Sequence, residues 1–453
     1  MTGPSGSADL RREVVELTRT LLRIDSTNGN ETAVAEALAG YLAAAGIDAE
    51  LTGPEPARQN LVARIPGSEP EAPSLALVGH SDVVPADPRD WTHPPFAAVL
   101  DDDGYLWGRG ALDMKNEVAA RAVAMASLAR EGFQPRGDLV LLIAADEEDG
   151  SAMVGMNWLT AHRPDLAVDY ALNEGGGSSY RLSDGRLVAE VGVGEKGTCP
   201  VEVEVIGEAG HASMPTLGNN PMPRLGEVLR LVGLGEPEPV DDPTLRAALE
   251  TLLGPGAVGR LGLTEAVSRA AGLHPLLTHR LPALAGTTMA PTLLRGSSAA
   301  NVIPARVAVG LDCRVLPGTS DGQVLAEVRA RIGADDDLRI TQPIASVAGN
   351  GSPPSGALWD ACARFVTEVM EAEPLALLCT GFTDSVHLRR DYGTVAYGFS
   401  PFLATPATVI EAGYHNRDER VHVDDLALSV DFHRSAVQQL LGPAGPPAPG
   451  AGT

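Results

Sequence analysis

The chain is short of positive charge. Lys and Arg number 34 against 59 Asp and Glu in 453 residues, for a net charge of -25 at pH 7. A surface of that sign repels phosphate backbones and anionic lipid alike, which excludes nucleic acid and membrane surfaces as expected partners. Cysteine is equally thin: Cys199, Cys313, Cys362 and Cys379 are scattered without a C-x-x-C pair. That spacing predicts neither a disulfide framework nor a thiolate zinc site, and the thiols read as reduced and mostly core. No stretch of 18 apolar residues occurs, and the opening "MTGPSGSADLRREVVELTRTLLRI" lacks the apolar centre of a signal peptide. A cytoplasmic protein is expected. The chain also lacks the Gly-Lys-Thr/Ser and G-x-G-x-x-G patterns of nucleotide loops, so "GRG" and "GGG" carry no such meaning.

What it has is apolar residues, 44% of the chain, in a length beyond one ordinary core, so two or more domains are expected. A first helix is predicted over about 8–24, and a second in "NETAVAEALAGYLAAAGI" behind Asn30, which can cap it. Strands at "NLVARIPG", "SLALVGHSDVVP", "GDLVLLIAADEE" and "DYALNEGGG" then alternate with the helix "NEVAARAVAMASLAREG". This alternation predicts an α/β domain with a largely parallel sheet covered on both sides.

Near Glu195 the rhythm changes. "KGTCPVEVEVIGEAG" alternates apolar with polar, followed by a helix near 221–234, strands near 287–297 and 304–315, and a helix near 319–333. The β-α-β-β-α-β order predicts a small α+β sandwich inserted in the chain. From about 340 the α/β rhythm resumes, with helices near 357–371 and from about 424. The expected division is therefore 1–195 and 341–441 for one domain in two pieces and 196–340 for the insert, with 442–453 a Pro-, Gly- and Ala-rich disordered tail.

Chemistry collects at the strand ends. His80 and Asp82 follow "LALVG", Glu147 and Glu148 follow "LVLLIAAD", Glu174 follows "YALN", Asp113 opens a helix after "WGRGAL", and His415 lies in "EAGYHNRDE". In open α/β sheets, sites form beyond the carboxyl ends of the strands, which makes these residues expected neighbours. Bringing carboxylates together costs about 4 kcal/mol per pair at 4 Å and an effective dielectric near 20. Lys115 and Arg109 are too few to offset several such pairs, so the crowding predicts bound divalent cations. The donors are N and O without sulfur, suited to zinc in an open site, with Co2+ or Mn2+ also accommodated. Individually, each of these residues could equally be a cap, a turn residue or a buried hydrogen-bonded pair.

The motifs "GHSDVVP", "GRGALDMKN", "ADEEDGS", "NEGG", "GHASMP" and "YHNRDERV", in this order and at these separations, resemble the di-zinc amidohydrolases of metallopeptidase family twenty. That family includes aminoacylases, acetylornithine deacetylase, succinyl-diaminopimelate desuccinylase and carboxypeptidase G. The resemblance implies a zinc-peptidase catalytic domain with an inserted lid or dimerisation domain, two Zn2+ per subunit and a homodimer. By position it implies that Asp113 bridges two metals, His80 and Glu174 complete one, and Glu148 and His415 complete the other. Asp82 would orient His80, Glu147 would be the general base, and the Asp113-Met114 peptide would be cis. His211 would stabilise the oxyanion, Asn301 and Arg314 would hold a free substrate carboxylate, and Gly381 and Thr383 of "GFTDS" would line the substrate side. Asp146 and Asp149 take no role, and the remaining histidines read as surface or packing residues.

The expected reaction is hydrolysis of an N-acyl amino acid. Its alternatives are a carboxypeptidase or dipeptidase releasing a C-terminal residue and, more remotely, a binding protein that has lost turnover. Neighbouring side chains on an extended segment point to opposite sides, which would let Glu148 take metal while Glu147 faces substrate. The Leu- and Pro-rich stretch 236–286 carries no assignment.

Overall fold

The computed structural model describes residues 4–233, 237–333 and 335–443. They form two compact units: one comprises the chain up to Val193, Ser352–Leu377 and the chain from Thr383, the other Gly194–Gly351 with Leu378–Phe382.

At the centre of the first unit lie two strands whose six residues are all buried, Leu75–His80 and Leu139–Ala144. They are continuous apolar runs because helices cover both faces of the sheet. The two pair in parallel, from Leu75 opposite Leu139 to His80 opposite Ala144. Tyr170–Asn173 joins the Leu75–His80 strand in parallel, and Val395–Gly398 joins Tyr170–Asn173 in the same sense. Antiparallel strands extend both edges: Asn60–Ile65 and Ala49–Thr52 on one, Leu187–Glu195 on the other. The whole is a nine-stranded, mixed sheet with a parallel centre.

The helix Lys115–Arg130 is buried from Lys115 to Leu128, with no solvent face over that span. Its many alanines favour the helix and let it pack closely against the sheet and the helices Pro4–Leu22 and Val423–Leu441. Such packing makes a stiff platform: truncating fully buried Leu77 to Ala would cost about 2–5 kcal/mol. Gly79 is required by the closeness of this contact, since a Cβ there would lie 2.9 Å from Val118 Cγ2.

Several local expectations are corrected. Asn30 does not cap the second helix, Thr32–Ala44; its side chain donates to the Asp25 carbonyl (2.6 Å), and Glu31 occupies the cap position without a side-chain cap bond. The "LVLLIAADEE" strand stops at Ala144, because Asp146 takes a left-handed conformation (φ 58°) that turns the chain. The helix predicted to 371 ends at Glu368, and the first helix begins at Pro4. Most of the expected disordered tail, from 444 on, lies outside the described residues.

In the second unit, Val201–Ile206 alternates buried and half-buried residues and lies between Arg306–Val315 and Leu338–Thr341. Thr288–Arg295 pairs with the far side of Arg306–Val315. The helices Met222–Gly233 and Asp321–Ile332 cover this sheet through Val228, Val232, Val324 and Val328. The stretch left unassigned from sequence contains four helices, Pro243–Leu253, Ala257–Leu261, Leu263–Ala271 and Pro275–Ala285.

Candidate metal centre

Parallel pairing puts the carboxyl ends of the central strands on one edge of the sheet. His80 is the last residue of its strand, Glu147 and Glu148 follow Ala144, and Glu174 follows Asn173. A close approach fixes the last of these: a Cβ on Gly398 would collide with the Glu174 carbonyl oxygen. Asp113 arrives from the loop before the Lys115–Arg130 helix, its peptide to Met114 cis. His415, in the left-handed region (φ 54°), follows the helix Ala407–Gly413.

Asp113 is central to the cluster. His80 Nε2 lies 3.1 Å from its Oδ1, and His415 Nε2 lies 3.2 Å from its Oδ2. Glu174 Oε1 is 3.7 Å from the same His80 nitrogen, and Glu148 Oε2 is 2.9 Å from the same His415 nitrogen. Ligand atoms of His80, Asp113 and Glu148 lie within 4.8 Å of one another, as do those of His80, Glu147 and Glu174. The other ring nitrogen of His80 faces the carbonyl of Asp82 (3.0 Å) and its Oδ1 (3.5 Å), so that in the neutral ring the proton belongs on Nδ1 and Nε2 is the nitrogen a cation would take.

Electrostatics here are those of too many acids. Burial, joined by Glu174, drives the Glu147 carboxyl well above its ordinary range, and burial with Asp113 raises Glu148 as well. Burial opposes charge on His80, yet Glu174, Asp113 and Asp82 together hold its pKa well above normal. Glu148 Oε1 is buried and has no hydrogen-bond partner. A buried acceptor without a donor, beside imidazole nitrogens and further carboxylates, fits an N/O-coordinated divalent cation. Arg109 and Lys115, counted from sequence as available cations, serve elsewhere: Arg109 pairs with Glu419 (2.7 Å) and Lys115 donates to the Ile24 carbonyl (2.7 Å).

Residues 76–439 match the model of peptidase family M20/M25/M40. The chain belongs to this family. It is thus a metal-dependent hydrolase of amide or peptide bonds. A succinyl-diaminopimelate desuccinylase of Methylobacterium sp. (strain 4-46) is 30% identical over 455 residues, covering 95% of this chain and 96% of the relative. Among solved structures, an M20 family metallo-carboxypeptidase from Sulfolobus solfataricus superposes with TM-score 0.69 at 18% identity, covering 94% of this chain and 99% of that one. A dinuclear metal-binding M20 peptidase from Bacillus subtilis gives 0.60 at 13% identity, over 96% and 99%.

Sequence reasoning missed the framework behind the cluster in this M20 chain. The Asp82 carboxylate does more than face His80: it accepts the amide N–H groups of Glu147 (3.2 Å) and Glu148 (3.0 Å). The two glutamates therefore sit in a turn wrapped around Asp82. Alternation along an extended strand, the expected basis of their difference, is not what separates them. Asp146 is buried and bound by Arg58 (2.8 Å), which also holds Glu31 (2.6 Å); nothing in the local sequence links these three. Asp149, exposed, bonds Ser151. Asp384, in "GFTDS", is buried with Oδ2 unpartnered, and burial pushes its carboxyl well up. Glu419 stood within the quoted "YHNRDERV", an available signal that went unused beside His415.

The remaining expected site residues lie mostly in the second unit. His211 is exposed on a two-residue strand whose partner is Val302–Ile303, and the Asn301 carbonyl accepts from Ala212 N–H (3.1 Å), so His211 and Asn301 are neighbours. Ser213 N–H donates to His211 Nδ1 (3.2 Å), which puts the ring proton on Nε2. Arg314 is on a different strand, and Asp312 takes its Nε (2.8 Å) and Nη2 (3.1 Å) in a forked pair. Gly381 belongs to the second unit and Thr383 to the first. Thr383 is buried, and its hydroxyl accepts from Ser385 N–H (3.2 Å) at the start of the helix Ser385–Tyr392.

Proposed function

We propose that the protein hydrolyses the amide bond of N-acyl amino acids, with two Zn2+ per subunit bound by His80, Asp113, Glu148, Glu174 and His415. One observation carries the dinuclear reading: a single carboxylate, Asp113, presents one oxygen to each of two imidazoles, at 3.1 and 3.2 Å. Asp113 would bridge, His80 and Glu174 would complete one position, and Glu148 and His415 the other. The similarity to a desuccinylase along almost the full length of both chains favours an acyl substrate.

When bound, such a pair of cations supplies a water acidic enough to attack a carbonyl near neutral pH. The chain's own residues do the rest. Glu147 accepts the proton of that water at its carboxylate and returns it to the nitrogen of the leaving amine as the C–N bond breaks, leaving a carboxylate and a free amine. Burial and Glu174 favour its protonated form, and the charge of two cations beside it would oppose that shift and leave a carboxylate able to take the proton. Asp82 holds the His80 ring and the turn of both glutamates. His211, with its proton on Nε2, donates to the carbonyl oxygen as negative charge develops there. Arg314 and Asn301 hold the free carboxylate; the Asp312 pairing uses one edge of the guanidinium fork and leaves Nη1 for a second carboxylate. Gly381 and Thr383 line the substrate side.

The inserted domain, 196–340, acts as a lid and dimerisation element in this reading. Exposed Leu293 and Leu294 on the edge strand Thr288–Arg295 support a homodimer formed through this unit. A cytoplasmic location completes the proposal; no described helix is long and apolar enough to cross a membrane.

The test is release of amine from a panel of N-acyl amino acids, N-succinyl compounds included, and of dipeptides, with and without chelator. Chelator-sensitive release from acyl amino acids is the expected result. Release from dipeptides alone would replace the reading with a carboxypeptidase or dipeptidase, and no release from any would overturn it.

A further inference from the structure

Glu419 takes no part in the ligand set, yet it is fully buried beside it. Its two oxygens are used completely. Oε1 accepts the amide N–H groups of Leu112 (2.6 Å) and Asp113 (2.9 Å); Oε2 accepts Gly110 N–H (3.0 Å) and the Arg109 guanidinium (2.7 Å). Its backbone carbonyl accepts Gly108 N–H (3.0 Å). One side chain thus gathers the backbone of the "GRGALD" loop and grips the peptide of Asp113 itself.

Glu419 also belongs to the loop that carries His415. That loop is held in an unusual conformation: His415 and Asp418 have φ of 54° and 62°. Asp418 is anchored in turn by Thr92 N–H (2.7 Å) and the Thr92 hydroxyl (3.0 Å). A Cβ added to Gly413 would strike Leu112 Cδ1 at 2.6 Å, so the start of this loop packs directly on the Asp113 loop. Asp113 and His415 are separated by about three hundred residues of chain, yet Oδ2 and Nε2 come within 3.2 Å. Around that contact the two segments also meet through the Gly413–Leu112 contact and the pairing of Arg420–His422 with Tyr105–Trp107, but it is the Glu419 carboxylate that bonds the Asp113 peptide itself.

We propose that Glu419 is a positioning residue that sets the spacing between Asp113 and His415, and so governs the metal position those two share with Glu148. This inference rests on the ligand assignment proposed above. Its sharpest consequence is asymmetry: the position completed by His80 and Glu174 takes both of those ligands from strand ends of the sheet and shares only Asp113 with the tied loops, whereas the position completed by His415 has Asp113 and His415 on the two loops that the tie joins. Loss of the tie should weaken one metal and spare the other.

The experiment is titration of Zn2+ alone into chelator-stripped full-length protein, with bound metal counted and both affinities measured at a temperature where each variant is folded by circular dichroism. Glu419→Gln keeps the shape but turns one acceptor oxygen into a donor facing N–H groups. The expected result is two sites in the parent chain, and in the variant one site of parental affinity with the other weakened roughly 10–100-fold. A purely structural role would lower the melting temperature and leave both affinities unchanged, which would overturn the proposal. Because Glu419→Gln leaves Arg109 buried without its carboxylate, the double variant Glu419→Gln/Arg109→Met is measured alongside and should show the same selective loss. If neither variant folds, Glu419 belongs to the fold and the proposal is overturned. His415→Ala separates the two levels. If it keeps two sites of parental affinity, the ligand assignment fails; if it loses one while Glu419→Gln keeps both, only the role of Glu419 fails.

Discussion

The first unit and the second hold their functional side chains in opposite ways. Around the metal cluster, three of the expected ligands are backed by buried carboxylates, Asp82 behind His80 and the turn that carries Glu148, and Glu419 behind Asp113, while Arg58 with Glu31 anchors Asp146 at the same turn. In the second unit, His211 is exposed on a short ladder and Asn301 is exposed in the turn just before its partner strand, and Arg314 sits half-exposed in a fork with a nearby acid. The difference matches the tasks proposed for the two sets. A ligand set tolerates errors of tenths of an ångström, and only a rigid, satisfied network holds that, whereas groups that meet substrate must stay open to it.

That contrast breaks most severely at its centre. Asp113→Ala should remove both metals and reduce turnover to background, as prolonged chelation should; metal analysis beside the amine-release assay checks both. Next is Glu147→Gln, expected to lower kcat by roughly 10²–10⁴-fold while about two metals per chain remain. Metal loss instead would mean that Glu147 is a ligand, an outcome its 4.8 Å grouping with His80 and Glu174 makes a pointed test. In the second unit, His211→Ala should lower kcat by roughly 10²–10³-fold with both metals retained. Arg314→Met should act mainly on KM, with kcat/KM reduced by the equivalent of a charged hydrogen bond, about 1.5–3 kcal/mol. A kcat loss with unchanged KM would remove Arg314 from carboxylate recognition.

The mildest expected effect probes the buried framework by pH. His433 is fully buried, accepts from Arg121 Nε at Nε2 (3.2 Å) and faces the Ser429 carbonyl at Nδ1 (2.7 Å). Burial, reinforced by the Arg121 charge, holds its pKa well below the ordinary value, so the native imidazole is neutral. Below about pH 6.5 the unfolded chain takes up a proton that the folded protein refuses. Stability should therefore fall with decreasing pH from that point, by up to about 1.4 kcal/mol per pH unit from this group. Denaturant unfolding across pH 5–8 measures it, and a His433→Gln variant should lose that component of the slope.

Much of this was legible in the chain itself. The buried parallel strands announced themselves as unbroken apolar runs, the ligand-type residues stood at their carboxyl ends, and the order of six motifs carried the family. The inserted sandwich was equally readable, because Val201–Ile206 alternates its burial as a one-sided strand must. Less readable were the places where a side chain answers to a distant partner. Asn30 has the chemistry of a cap but spends it on Asp25, and the helix runs on without it. The helices of 243–285 were available in principle, since Leu245, Ala248, Leu249 and Leu252 recur at helical spacing, but the Pro and Gly residues that punctuate the stretch broke the pattern into short pieces.

The acid run "ADEED" divides the two kinds of knowledge most cleanly. From the sequence alone it followed that so much negative charge at a core strand's end demands compensating cations, because Coulomb repulsion at short range needs no fold to be evaluated. Which acid does what was decided only in three dimensions. Asp146 goes to Arg58, Glu148 to His415, Glu147 to the company of His80 and Glu174, and Asp149 to Ser151. Residue types and local pattern determine which elements form and which chemistry is available. The partners of each carboxylate, brought from dozens or hundreds of residues away, exist only once the chain has closed those loops, since hydrogen bonds act over about 3 Å whatever the sequence separation.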